Sequence, residues 1–188
     1  NNAILIGAGD VTPAEVRKDA SAAYDKVPPR ELTGRAEYAQ PQRLGATRLS
    51  IYRPDVKVPL FMRLYRVVSY AEARPGQAEA LETFAQLLGG DATSVLYREL
   101  VVKRKLATNI GASYDGYARD SGTFGIYAIP RPGVRLDQLE HAIDNILEIY
   151  GKKPPAAADL KRAKTQLVAD AMYQRDSQFA LASAYGQA

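Results

Sequence analysis

The chain has 188 residues, of which 46% are hydrophobic and 24% charged, with a net charge of +4 and no cysteine. That size and balance suit one well-buried domain, or one domain with a piece of another, and no run nears the roughly 20 apolar residues that cross a bilayer. The pI near 9.2 is mildly basic, the one dense cluster, Lys103-Arg104-Lys105, has no interleaved aromatic residue, and so neither nucleic-acid binding nor a membrane span is expected; without cysteine, disulfides and thiol catalysis are excluded.

In chain order, Ala3 to Ala8 (AILIGA) is a short apolar run closed by Gly9-Asp10, and it reads as a buried strand. Thr12-Pro13-Ala14-Glu15 is a capping box with proline at the first helical position, which predicts a helix to about Tyr24. The stretch Val27 to Gly45 is rich in Pro, Arg and Gln, has no period and reads as a linker. Thr47 to Arg53 alternates, with Leu49 and Ile51 on one side and Arg48, Ser50 and Tyr52 on the other; Leu60 to Val68 alternates again, with Leu60, Met62, Leu64 and Val68 opposite Arg63 and Tyr65. Both segments predict half-buried antiparallel strands.

Gln77 to Leu88 carries Ala78, Leu81, Ala85 and Leu88 at helical spacing and stops at Gly89-Gly90. A second helix is expected over Thr93 to Lys103, with Leu96 and Leu100 on one face. Two strands follow, Thr108 to Tyr114 and Thr123 to Ile129, turned by Asp120-Ser121-Gly122. Leu136, Leu139, Ile143, Ile146, Leu147 and Tyr150 form a helical stripe, and after Pro154-Pro155 another helix is expected from Ala157 to Tyr173, broken near Asp176-Ser177 before a last helical segment. The order predicts an α+β domain: a largely antiparallel sheet with helices packed on one face. The expected division is 1–26 as a strand and helix trailing from a preceding domain, 27–45 as a linker and 46–188 as the domain itself. The start without Met and the end without a stop signal suggest a piece of a longer protein.

Few residues offer chemistry. A single histidine, His141, cannot supply H-x-x-E-H, which sets two imidazoles and a general base on one helix face. His141 falls on the far side of its helix from the apolar stripe and is expected to be exposed. Asp115 and Asp120 bracket a hairpin, and turn chemistry accounts for both. Gly7, Gly9 and Gly89-Gly90 do not spell a dinucleotide fingerprint. Among twelve tyrosines, Tyr52, Tyr65, Tyr114, Tyr117 and Tyr127 fall on or near strands, where rim packing with the hydroxyl in water is expected. No catalytic and no metal-ligating residue is assigned, and the substrate-binding residues stay open.

The ordered set Asn2-Ala3-Ile4-Leu5-Ile6 with Gly9-Asp10-Val11-Thr12-Pro13-Ala14-Glu15-Val16, Leu87-Leu88-Gly89-Gly90, Ser94 with Leu96-Tyr97-Arg98-Glu99-Leu100 and Leu106-Ala107, Asp120-Ser121-Gly122-Thr123-Phe124-Gly125-Ile126, and Asp159-Leu160-Lys161-Arg162-Ala163-Lys164 resembles the M16 (pitrilysin/insulinase) zinc peptidases, which include the mitochondrial processing peptidases. The resemblance implies the second, non-zinc domain of one half of such an enzyme. Its zinc and H-x-x-E-H are expected on a domain upstream of this chain, and its partners are a peptide or protein substrate and a second M16-like half or subunit. Bacterial relatives of the family are often exported, so the resemblance points by analogy to the periplasm. The non-catalytic half of such enzymes often carries an Arg and, seven positions on, a Tyr that hold the bound peptide. With Leu106-Ala107 as anchor those positions are Val101 and Thr108, while Arg98 and Arg104 lie out of register. The resemblance therefore favours the zinc-bearing half, with a metal-free scaffold subunit of the same fold as the alternative.

Overall fold

Among the described residues, three antiparallel strands carry helices on one side and leave the other side open. The computed structural model describes residues 3–28 and 44–187, so most of the expected linker lies outside the described residues. The elements are α1 (Pro13–Tyr24), β1 (Phe61–Val67), α2 (Gln77–Gly89), a π-helical segment (Tyr97–Lys103), β2 (Ala107–Asp115), β3 (Gly122–Pro130), α3 (Leu136–Lys152), α4 (Ala157–Asp176) and α5 (Gln178–Gln187). They divide into two compact units: residues 44–168, and residues 3–28 with 169–187.

In the larger unit the strand order is β1-β3-β2. The register places Phe61 opposite Ala128 and Tyr65 opposite Phe124 across β1 and β3, and Ala112 opposite Ile126 across β2 and β3. One face of the sheet, with Ile110, Ala112, Phe124, Ile126 and Ala128, is buried against Leu88 of α2, Leu96 just before the π segment and Leu100 within it, and Leu139 and Ile143 of α3. This is the expected α+β arrangement. The stripe read on α3 is the buried one, with Leu139, Ala142, Ile143 and Ile146 in the core.

Three expectations for the larger unit are corrected. The apolar alternation of β1 marks the open side: Met62 and Leu64 are 59% and 64% exposed, while Phe61, Arg63 and Val67 are half-buried under the helices. Residues 47–53 join no strand and are exposed throughout. The expected α-helix over 93–103 is wound more widely, as Arg104 N–H donates to Glu99 O at 2.9 Å. The i→i−5 winding stacks residues five apart, so Leu96, Leu100 and Val101 all enter the core.

In the smaller unit α1 begins as its capping box dictates: Glu15 N–H donates to Thr12 Oγ1 at 3.3 Å, and Thr12 N–H to Glu15 Oε2 at 2.8 Å. The expected strand at 3–8 is not formed. Its neighbours are helical, with Ile6 against Gly186 of α5 and Gly7 against Val16 of α1, and a lone strand with no ladder partner gains nothing from pairing.

Candidate interaction surface

The open face of the sheet is built from side chains that point away from the core. Met62 and Leu64 of β1 stand beside Tyr127 of β3, with Asn109 and Ser113 of β2 and Thr123 of β3 around them. Two glycines set its shape. The Tyr127 ring lies over Gly111, where an added Cβ would come within 2.5 Å of it, and Leu64 leans over Gly125 at 3.3 Å from the corresponding point. An aromatic ring covering a cross-strand glycine restores the packing the glycine lacks. The surface is apolar at Met62, Leu64 and Tyr127, with hydroxyl, amide and charged groups, among them Arg66 and Asp115, at its margin. Such a surface can hold a polypeptide by contact and by a few hydrogen bonds.

At the end of β1 the sheet meets α2 in an open apolar groove of about 400 Å³ lined by Val67, Val68, Gln77, Ala80, Leu81 and Phe84. Tyrosines gather nearby. The Tyr70 hydroxyl donates to Glu82 Oε2 at 2.6 Å, its ring stacks on Tyr117 at 5.2 Å, and the Tyr114 hydroxyl donates to Val68 O at 2.7 Å. Burial, with the Glu82 carboxylate, pushes the Tyr70 hydroxyl well above the usual phenol range, and burial raises Tyr114 as well. Tyr114 and Tyr65 face the helices rather than the open side, with Tyr65 edge-on to Phe124 at 6.5 Å, so Tyr127 is the one of the five singled-out tyrosines on the open face of the sheet. Tyr52 and Tyr117 are exposed outside the strands.

The other sequence candidates stay apart. His141 is exposed, as expected, and Asp120 sits 3.8 Å from Arg66. Val101 is buried in the core, and the Thr108 hydroxyl donates to Ile129 O at 3.2 Å. Arg98 turns to α4, where its guanidinium meets both Asp159 oxygens at 3.0 and 3.3 Å. Arg162 joins the same carboxylate at 2.6 Å and also donates to Thr93 O. The two guanidinium groups hold the Asp159 carboxyl below its usual range. No cation is therefore set at the Val101 and Thr108 positions. Among the described residues no three His, Cys, Asp or Glu side chains gather closely enough to hold a metal ion, so these residues do not fit zinc.

The family model described as "Peptidase M16 inactive domain" matches residues 1–167. The chain belongs to this family. It is similar to the zinc protease PqqE of Helicobacter pylori, with 25% identity over 173 residues, covering 90% of this chain and 38% of that protein. A solved protease structure from H. pylori superimposes with a TM-score of 0.78 at 23% identity, over 95% of this chain and 43% of that one. A peptidase M16 inactive domain from Pseudomonas fluorescens matches with a TM-score of 0.56 at 21% identity, over 68% of this chain and 29% of that one. The M16 inactive domain thus spans about two fifths of the H. pylori relatives' length.

Proposed function

We propose that this M16 inactive domain belongs to a zinc peptidase and serves it without catalysing. Its open sheet face walls the space in which the peptide is held, and its helical side braces the domain that carries the metal. The observation that carries the reading is the match to the inactive domain over residues 1–167 in a chain with a single histidine, which cannot write the zinc motif. The exposed Met62, Leu64 and Tyr127 give the wall a surface suited to peptide contact. Zinc and the general base come from a domain outside these residues, where the metal polarises the peptide carbonyl and activates water. A second M16-like half or subunit completes the enclosure.

The test compares this chain alone with the longer polypeptide that contains it, using quenched peptide substrates and metal analysis. The expected result is no turnover and no stoichiometric zinc in the chain alone, and chelator-sensitive cleavage by the longer protein. Metal-dependent cleavage by the chain alone would overturn the proposal. The buried Val101 and the engaged Thr108 also suit a metal-free scaffold subunit of the same fold. A longer polypeptide that lacks both H-x-x-E-H and zinc would decide for that reading.

A further inference from the structure

We propose that residues 47–53 form a strap that folds back as a hairpin on residues 56–62, the segment that leads into β1, and so adds a fourth strand latched by Glu140. Among the described residues β1 pairs with β3 alone, so its outer edge at Phe61 and Met62 and the exposed lead-in 56–60 present backbone donors and acceptors ready to pair. The strap is attached to that edge by a short connection that already turns. Val56 N–H donates to Arg53 O at 3.1 Å across Pro54-Asp55, and the Arg53 guanidinium grips both Asp55 oxygens at 3.0 Å.

That turn dictates a register. With Arg53 opposite Val56, Ile51 falls opposite Val58, Leu49 opposite Leu60 and Arg48 opposite Phe61. Three independent features agree with it. Arg48 lands on the helix-covered side, where its Nη2 already lies 2.5 Å from Glu140 Oε2 while Arg63 of β1 holds Glu140 Oε1 at 2.9 Å. Pro59 falls at a position without cross-strand hydrogen bonds, so its missing N–H points away from the strap. Leu49 and Ile51 join Val58, Leu60, Met62 and Leu64, all exposed here, on the open face, and so extend one apolar surface.

The turn also explains why the strap stands open. Tight two-residue hairpins favour turns with positive φ at the first central residue, because those match the strand twist. Pro54 holds φ near −65° and forbids them. The strap is tethered by its latch and opposed by its turn, the balance expected of an element that closes and reopens.

Amide hydrogen exchange on the whole chain tests this. In the closed register the Leu49 and Ile51 amides donate to the carbonyls of Leu60 and Val58, and those of Ser50 and Tyr52 face outward. Exchange at Leu49 and Ile51 is expected to be about tenfold slower than at Ser50 and Tyr52. Glu140→Gln should erase most of that difference while the amides of β2 and β3 keep their protection. Uniformly fast exchange across 47–53, or an alternation untouched by Glu140→Gln, overturns the proposal. Because the chain has no cysteine, a Leu49→Cys, Leu60→Cys pair gives a second reading. Opposed residues lie at a separation a disulfide accepts, so mild oxidation should cross-link this pair within one molecule and leave a Ser50→Cys, Leu60→Cys pair open. Equal rates for the two pairs, or cross-linking between molecules, also overturns it.

Discussion

A methyl group at position 89 has nowhere to go. A Cβ built on Gly89 would lie 2.2 Å from Ala112 N and 2.7 Å from Gly111 C, both backbone atoms of β2. Neither can move without shifting the strand, so Gly89→Ala should destabilise by about 2–3 kcal/mol, read as a lowered urea midpoint. The adjacent Gly90 is a control. Its added Cβ would meet the end of the Gln86 side chain, which can swing aside, and its φ of −72° suits any residue, so Gly90→Ala should change stability by no more than about 0.5 kcal/mol. Lys105 shows the opposite case. It holds a φ of +53° where the π segment ends and Leu106 N–H returns to Leu100 O at 2.8 Å. A side chain in the left-handed region costs about 1–2 kcal/mol, and part of what glycine relieves is given back through the freer unfolded chain. Lys105→Gly should therefore raise the urea midpoint, and Lys105→Val should lower it.

Elements are joined here by charge as well as by apolar contact. Asp159 at the start of α4 ties that helix to the π segment through Arg98 and to its own next turn through Arg162. Asp159→Asn should cost about 1.5–3 kcal/mol at neutral pH, the range for hydrogen bonds to a charged group. The sign with pH follows from the lowered carboxyl. Its ordinary value is 3.8 and its folded value lies below that, so the stabilisation is complete above the ordinary value and disappears as pH falls through the folded one. The gap between wild type and Asp159→Asn in urea titrations should therefore be widest near neutrality and close in acid. This tie was visible in the sequence only as a charged motif at a helix start, since no local rule pairs residues 61 positions apart. Other elements were legible because their determinants are local. The capping box of α1 and the stripe of α3 need only neighbours a turn away. The face of β1 was not legible, because Met62 and Leu64 alternate as a core face would, and only the register with Gly125 and Tyr127 and their exposure among the described residues place them on the open side. The wide winding of 97–103 escaped for a similar reason: Leu96 and Leu100 fit an α-helix equally well, and it is the added burial of Val101 that selects the wider turn.

For the molecule as a whole the two faces of the sheet should respond differently to substitution. Phe124 is buried among Phe84, Tyr65 and the core, and Phe124→Ala should cost about 3–5 kcal/mol. Met62 and Leu64 lie in solvent, so Met62→Ser or Leu64→Ser should leave the stability of this chain within about 0.5 kcal/mol. If the open face holds a peptide in the longer enzyme, the same substitutions carry a kinetic cost. A wall contact made equally to the bound substrate and to the transition state raises KM and leaves kcat unchanged. Leu64→Asp should therefore raise KM for long peptides severalfold, with kcat and the thermal midpoint near wild type, and should scarcely affect a peptide too short to reach the wall. Measuring both substrates with the one variant separates wall from scaffold: a KM that does not depend on peptide length, or a kcat that falls with it, would remove the open face from the path of the substrate.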